Sequence, residues 1–371
     1  MDYQTPYRRW AGIGPYYAMF PTQFVETVIE KYTKPGDWIL DPFAGRGSSV
    51  YFAATHQRSS LGVEINPVGW VYGKTKIRPA EKCSVLARLN QVVELSKNVS
   101  PEINQNFETF FQMCYTEEVL RFLWAARNSL DWRSSETDRT LMALILVDLH
   151  GIRERSFSNQ MRQSRAMAPD YSVSWWKERC LKPPEISPKN FMERKIEWRY
   201  AKGVPSSFNG DIILGDSTQI LGNLSSRLLD NKIKLLFTSP PYIDLTDYHR
   251  DQWLRLWMLG NNLSYRRSEE KYKSSFSSSL DYEVLLTKVF ENAVKHMSEK
   301  GYVYVRTDAR KQTLDITLTI LERALPEWNY VLLERPYIKN TQTALYGDKA
   351  KKPGEIDIIF SGPEADEVNL N

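Results

Sequence analysis

Two prolines follow an apolar stretch in the second half of the chain, and the residues around them could hold a planar polar group. Residues 235–237 are apolar, and Thr238, Ser239, Pro240, Pro241 and Tyr242 come directly after them. Prolines lack an N–H and stiffen the backbone, so they leave carbonyl oxygens and the Ser239 hydroxyl as hydrogen-bonding groups beside an aromatic ring. This pattern predicts a binding or catalytic site at the end of a buried strand.

Glycines and carboxylates follow other apolar stretches. Residues 41–47 contain Asp41, Gly45 and Gly47; glycines let a ligand approach the backbone, and the helix that follows offers free N–H groups. A tight strand-to-helix turn explains this loop equally well. Glu64 ends the next predicted strand, where a carboxylate can accept hydrogen bonds from both hydroxyls of a ribose or simply face solvent.

Asp216 comes after a later apolar stretch and has two interpretations. Its carboxylate could accept a hydrogen bond from an adenine amino group, with Ser217 beside it. Alternatively, it caps a helix that begins near Thr218, because aspartate is a favoured N-cap residue.

Alternating strand and helix signals position these residues. Seven strands are predicted at residues 38–40, 60–64, 211–214, 234–237, 302–306, 330–334 and 355–360. Helical stretches fall between most of them, so we expect an α/β fold with one doubly wound, mostly parallel seven-stranded sheet. The ligands of such sheets bind beyond the carboxyl ends of the strands, where the chemistry-bearing residues above are predicted to lie.

Residues 79–208 interrupt this pattern with long helical stretches, including 117–130 and 140–150. We therefore expect three blocks, a catalytic part with the glycine loop (1–78), a helical insertion (79–208) and a catalytic part with the double proline (209–371). The whole chain of 371 residues has a net charge of +4, whereas residues 151–200 contain eleven Lys and Arg against six Asp and Glu. A solvated basic surface over an aromatic core is the simplest interpretation of that segment.

Composition excludes several classes of protein. Hydrophobic residues make up 42% and charged residues 25% of the chain, which is typical of a globular protein and not of a disordered or coiled-coil one. We find no apolar run long enough to cross a membrane and no signal-peptide profile, so a cytoplasmic location is expected. The three cysteines have no CxxC spacing, which favours ordinary buried thiols over disulfides or zinc ligands. No metal site is predicted.

The residues 41–47 and 238–242 resemble the cofactor-binding and catalytic motifs of the S-adenosylmethionine-dependent DNA amino-methyltransferases. The Ser-Pro-Pro-Tyr form is typical of the members that act on the N4 amine of cytosine, and Phe20-Pro21 is similar to the segment before the first strand. The resemblance implies S-adenosyl-L-methionine as cofactor. It implies cofactor contacts at Asp41, Pro42, Phe43, Gly45, Gly47, Glu64, Asp216 and Ser217, and catalytic roles for Ser239, Pro240, Pro241 and Tyr242.

The resemblance also implies how the reaction proceeds. The target base is flipped out of duplex DNA against Tyr242, and the Ser239 hydroxyl and the Pro240 carbonyl hold the hydrogens of the exocyclic amine. This orients the nitrogen lone pair toward the methyl group without a covalent enzyme intermediate. The cofactor motif precedes the catalytic motif, which is the reverse of the commonest order among the N4-cytosine enzymes.

Because this family delegates sequence recognition to a variable segment, the insertion is expected to contact double-stranded DNA. The basic residues expected to meet phosphates or guanine edges are Arg153, Arg155, Arg162, Arg165 and Lys177. Trp175 and Trp176 could pack in the core or contact DNA. A restriction-modification or other prokaryotic defence system is the expected setting, with a cognate restriction nuclease or defence subunits as partners. The alternatives are methylation of adenine N6, methylation of RNA, or an inactive DNA-binding homologue.

Overall fold

The computed structural model describes residues 3–14, 20–103, 105–206, 209–224, 233–243, 248–263, 265, 278–335 and 354–366. All seven predicted strands are present in these parts of the chain. They are β1 Trp38–Asp41, β2 Ser59–Glu64, β3 Gly210–Leu214, β4 Ile233–Thr238, β5 Met297–Asp308, β6 Asn329–Arg335 and β7 Glu355–Ser361. The predicted strand positions were therefore correct, with differences of a few residues at the ends.

The strands form one sheet in the order β3-β2-β1-β4-β5-β7-β6. The first five strands in this order are parallel, and Leu40 of β1 lies opposite Leu61 of β2 and Leu236 of β4. Strand β7 is inserted between β5 and β6 and runs antiparallel to both. The expected doubly wound, mostly parallel sheet is confirmed.

Successive residues of β4 pack on opposite faces of the sheet, as the pleat requires. Leu236 belongs to a core cluster with Leu286 and Phe290. Phe237 instead stacks on Phe20, with ring centroids 4.9 Å apart, and also contacts Phe24. The sheet is thus covered on both faces.

Within the described residues the chain forms two compact units. The sheet unit comprises residues 18–73, 206–247 and 273–371, and the helical unit comprises residues 1–17, 74–205 and 248–272. The predicted blocks divide the chain differently, since they assign 1–17 and 248–272 to the catalytic parts. The helices of the sheet unit are α2 Thr22–Tyr32, α3 Ser48–Thr55, α11 Ser217–Ile220, α14 Ser279–Ala293 and α15 Lys311–Ala324, and α4 Pro67–Ile77 continues beyond residue 73.

The helical unit contains α1 Pro6–Ala11, α5 Lys82–Ser96, α6 Gln105–Cys114, α7 Glu117–Ser129, α8 Glu136–Asp148, α9 Pro169–Glu178, α10 Pro188–Tyr200, α12 Tyr248–Asp251 and α13 Trp253–Met258. Helix α8 lies in its core, with Leu141, Ile145 and Leu146 all inaccessible to solvent. The Arg255 side chain is equally buried and donates to the carbonyls of Leu146 and Gln163 and to Gln252 Oε1. A buried guanidinium therefore ties α8 to α13.

Two further expectations concern cysteines and membranes. Cys114 is buried as expected, but Cys83 and Cys180 are exposed, so the prediction of three buried thiols was wrong for two of them. Both lie on the surface of the helical unit, and the spacing of cysteines in the sequence does not predict their exposure.

None of the helices in the described ranges is long and apolar enough to span a bilayer.

Candidate functional site

The carboxyl ends of β1, β2 and β4 bring the two sequence motifs together in the sheet unit. Asp41 is the last residue of β1, Glu64 ends β2, and Thr238 ends β4. Because the three strands are parallel, their ends meet at one edge of the sheet, and residues nearly two hundred positions apart become neighbours. The residues that the two motifs contribute therefore lie at the same edge of the sheet.

Asp41 is the centre of this arrangement. Its Oδ1 accepts hydrogen bonds from Thr238 Oγ1 at 2.6 Å and from the Phe43 backbone N–H at 3.0 Å, and its Oδ2 accepts one from Ser49 Oγ. Burial raises the pKa of the Asp41 carboxyl to about 6, although the three hydrogen bonds oppose this rise. One carboxylate thus fixes the glycine loop, the first turn of α3 and the residue before Ser239.

Glu64 holds the other side of the loop. Its Oε2 accepts a hydrogen bond from the Gly45 N–H and its Oε1 one from the Asn66 N–H, both at 2.7 Å. Burial raises the pKa of this carboxyl to about 8. A carboxylate oxygen can accept more than one hydrogen bond, so this geometry is compatible with further donors such as ribose hydroxyls.

The glycine loop is closely packed. Gly45 and Gly47 have φ values of 54° and 71°, in the left-handed region that favours glycine. A Cβ on Gly47 would lie 2.5 Å from Ile212 Cδ1 and 3.0 Å from the Gly73 Cα. The tight turn that starts α3 therefore requires both glycines, and a contact of this loop with a ligand stays a prediction.

Asp216 is exposed and caps α11, since its Oδ1 accepts hydrogen bonds at 2.8 Å from both the N–H and the Oγ1 of Thr218. This is the capping geometry that the sequence allowed. The buried Ser217 hydroxyl donates to the Pro42 carbonyl, which connects the loops after β3 and β1. A contact of either residue with adenine remains a prediction.

The double-proline segment extends from β4 to Ile243. Pro240 is buried, whereas Ser239, Pro241 and Tyr242 are half-buried. The Ser239 Oγ lies 3.4 Å from the Tyr242 hydroxyl, which lies 3.3 Å from Glu355 Oε1 at the start of β7. Burial, reinforced by the Glu355 charge, raises the pKa of Tyr242 well above its usual range.

Sequence reasoning missed several residues that hold this segment. Arg310 donates to the Ile243 carbonyl and is itself bound to both carboxylate oxygens of Asp308 at 2.9 Å. Asp308 ends β5, so the strand-end signal that identified Asp41 and Glu64 also applies to it. Glu355 carries no such signal, because its position at this edge depends on β7 running antiparallel.

The basic residues singled out in the insertion lie in the helical unit. Arg155, Arg162 and Lys177 are exposed, and Arg153 and Arg165 are half-buried. Arg153 pairs with Glu154 at 2.7 Å, and Arg165 lies 3.8 Å from Asp251. Their contact with DNA stays a prediction.

The two adjacent tryptophans of α9 differ in environment. Trp176 is inaccessible to solvent and donates to the Gln160 carbonyl at 2.8 Å, so it belongs to the core. Trp175 is half-buried, with the Arg179 guanidinium 4.5 Å above its ring. Of the two, only Trp175 has a surface on which a ligand could pack.

The described ranges contain no group of three or more His, Cys, Asp and Glu side chains placed to hold a metal ion.

Comparison with known proteins gives a family match and several relatives. Residues 2–68 match the family model of the N6/N4 DNA methylases. Type II methyltransferase M.MjaII of Methanocaldococcus jannaschii is 25% identical over 157 residues, covering 40% of this chain and 29% of the relative. M.Cfr9I of Citrobacter freundii is 41% identical over 54 residues, covering 15% and 18%. M.BsoBI of Geobacillus stearothermophilus is 24% identical over 278 residues, covering 65% and 51%.

These similarities span at most about half the length of the three relatives. The residues matched by the family model include the glycine loop at residues 41–47. Over these residues the chain is similar to DNA amino-methyltransferases, and this similarity implies S-adenosylmethionine as the methyl donor.

Proposed function

We propose that the protein is a site-specific DNA methyltransferase that transfers a methyl group from S-adenosylmethionine to the N4 amine of a flipped cytosine. The observation that carries this proposal is the 2.6 Å hydrogen bond from Thr238 to Asp41. It links the loop expected to hold the cofactor with the residue preceding Ser239, so one buried carboxylate sets the distance between methyl donor and base.

The residues at the sheet edge fit S-adenosylmethionine by the chemistry of their donors and acceptors. The Glu64 carboxylate suits ribose hydroxyls, and Asp216 with Ser217 offers acceptors of the kind an adenine amine needs. Residues 41–47, including Pro42 and Phe43, would hold the methionine part. When bound, the cofactor supplies an electrophilic methyl group on a sulfonium.

The base pocket consists of Ser239, Pro240 and Tyr242. The amine hydrogens of the base donate to Ser239 Oγ and the Pro240 carbonyl, which holds the nitrogen lone pair toward the methyl group. Pro241 keeps this backbone rigid. The methylated amine is acidic enough to release its proton afterwards, so the chain needs no strong base.

The direct test is mass spectrometry of nucleosides after incubation of the protein with S-adenosylmethionine and mixed-sequence duplex DNA, with an RNA control. N4-methylcytosine supports the proposal. N6-methyladenine would retain the mechanism and refute the base assignment, and methylated RNA alone would refute DNA as substrate. Ser239→Ala should abolish most of the product, whereas Ser134→Ala, at an exposed serine of the helical unit, should not.

We further propose that the helical unit contacts the target duplex through Arg155, Arg162 and Lys177, which are exposed, together with Arg153 and Arg165. Charge reversal at Arg155 and Arg162 should weaken DNA binding and lower its salt dependence by about one unit for each phosphate that is no longer neutralised. Lys295→Glu, an exposed change in the sheet unit, is the matched control. Equal behaviour of the two variants would refute this role.

The setting that we propose is a restriction-modification system with a cognate nuclease. The support is the type II methyltransferase relatives. Resistance of DNA from cells expressing the protein to one restriction nuclease, with loss of resistance in Ser239→Ala, would test it.

A further inference from the structure

A chain of three polar groups connects the base pocket to β7. Ser239 Oγ, the Tyr242 hydroxyl and Glu355 Oε1 follow one another at 3.4 Å and 3.3 Å. An ionised carboxylate can only accept hydrogen bonds, whereas each hydroxyl has one proton to donate. With Glu355 ionised, Tyr242 therefore donates to Glu355 and Ser239 donates to Tyr242. These distances are long, as is common for catalytic hydrogen bonds before substrate binds.

Among the charged groups around Glu355, Arg306 favours this direction. Arg306 Nη1 lies 3.5 Å from Glu355 Oε2, and Arg306 is held in place by Asp357, which accepts from its Nε at 2.6 Å and its Nη2 at 2.9 Å. The Phe24 ring covers the guanidinium at 3.6 Å. Burial of the Glu355 carboxyl opposes its ionisation most strongly and raises its pKa; the Arg306 charge favours the ionised form, while the Asp357 and Asp308 charges oppose it.

This direction determines how Ser239 can bond to a base. Its hydroxyl proton is donated to Tyr242, so only the lone pairs of its Oγ remain for the base. An amino group can donate to these lone pairs, but a carbonyl oxygen cannot, and an unpaired buried acceptor costs about 1–3 kcal/mol.

We propose that Glu355 is a positioning residue that, through Tyr242, makes Ser239 an obligate hydrogen-bond acceptor and so selects an exocyclic amine over a carbonyl in the base pocket. This inference rests on the proposed function and states which chemical group of a base the pocket accepts. Glu355 touches neither the base nor the methyl group and takes no proton in the reaction. Cytosine and adenine satisfy the requirement, whereas thymine and uracil do not.

A double-mutant cycle tests this proposal with Glu355→Gln, Tyr242→Phe and the combined variant. A glutamine amide can donate to Tyr242 and reverse the chain, so that the Ser239 proton points at the amine. We expect Glu355→Gln to lower the single-turnover methylation rate about tenfold at saturating S-adenosylmethionine, with its affinity for that cofactor unchanged. In the Tyr242→Phe background the same change should alter the rate less than twofold. Glu334→Gln, an exposed change on β6, is the matched control.

The pH profile separates this role from a structural one. Burial raises the pKa of Glu355 above its usual value, and protonation would let it donate to Tyr242. The ratio of wild-type to Glu355→Gln rates should therefore rise with pH and level off once Glu355 is ionised. This comparison cancels the titration of Asp41 and Glu64, which both proteins share.

The possible outcomes are distinct. No methylated base from the wild-type protein would overturn the proposed function and this inference with it. An active wild type with equal effects of Glu355→Gln in both backgrounds would overturn the inference alone. If Glu355→Gln does not fold, as judged by lost cofactor binding, Tyr242→Phe decides the matter. The ratio of wild-type to Tyr242→Phe rates should then rise with pH in the same way, and a ratio that does not change with pH would overturn the proposal.

Discussion

Replacement of Asp41 by asparagine should stabilise the protein at neutral pH. The carboxyl has its pKa raised from 3.8 to about 6 by burial, so the folded state holds the ionised form at a free-energy cost. A difference of about 2 pKa units corresponds to about 3 kcal/mol. Asparagine carries no charge, and its Oδ1 can keep the hydrogen bonds from Thr238 and Phe43 while the Ser49 hydroxyl rotates to accept from its Nδ2.

The sign of the pH dependence follows from the direction of this shift. The pKa is higher in the folded than in the unfolded state, so the contribution of Asp41 to stability is complete below about pH 4 and is lost as the pH rises to about 6. The free energy of unfolding of Asp41→Asn should therefore match that of the wild type near pH 4. It should exceed it by up to about 3 kcal/mol above pH 6.

Urea unfolding followed by far-UV circular dichroism between pH 4 and 8 measures this difference. Asp41→Ala is the control, because it leaves three donors without their acceptor, at about 1–3 kcal/mol for each that stays unsatisfied. It should be less stable than Asp41→Asn at every pH. A pH-independent difference between Asp41→Asn and the wild type, or equal stabilities of the two variants, would refute the reasoning.

Three further results are expected. Affinity for S-adenosylmethionine, measured by calorimetry, should rise by up to about tenfold per pH unit up to about pH 8. Glu64 ionises over this range, and its carboxylate can then accept hydrogen bonds from the ribose hydroxyls. The Glu64→Gln variant should lack the part of this pH dependence that comes from Glu64. Gly47→Ala should destabilise the fold by more than about 2 kcal/mol in thermal unfolding, because it combines a positive φ with a Cβ 2.5 Å from Ile212. Gly36→Ala, with a φ of 92° and nothing within 4 Å of its Cβ, should cost less, and equal losses would contradict the packing argument. Arg255→Met should lower the free energy of unfolding by about 3 kcal/mol or more, because three acceptors lose their donor; an unchanged unfolding curve would contradict this expectation.

The sequence predicted the sheet well because each strand contains a short apolar run, and a glycine, proline or acidic residue lies within about three residues of the end of that run. The same rule identified Asp41, Glu64 and Ser239, since parallel strands place their carboxyl ends at one edge. It did not predict that Thr238 donates to Asp41, because a hydrogen bond across 197 positions depends on which strands become neighbours.

Other parts of the site depend on information that a local pattern does not contain. Glu355 reaches the same edge only because β7 runs antiparallel. A run of apolar residues predicts a strand but does not indicate the direction in which the strand runs. Residues 248–272 belong to the helical unit although they follow the double-proline segment directly. Helix packing makes Trp176 fully buried and its neighbour Trp175 only half-buried, although their sequence positions differ by one.

The division into two units also bears on how the chain folds as it is synthesised. The chain passes between the units five times, since residues 1–17, 74–205 and 248–272 alternate with 18–73, 206–247 and 273–371. Strands β1 and β2 leave the ribosome early, yet the partner of β1 on its other side, β4, begins only at Ile233. Helix α1 likewise cannot form its contact with α10 until residue 199 has been synthesised, because Arg199 of α10 donates to the Arg9 carbonyl. Such long-range pairing slows folding and leaves strand edges exposed meanwhile, so production of this protein should benefit from slow translation or chaperones.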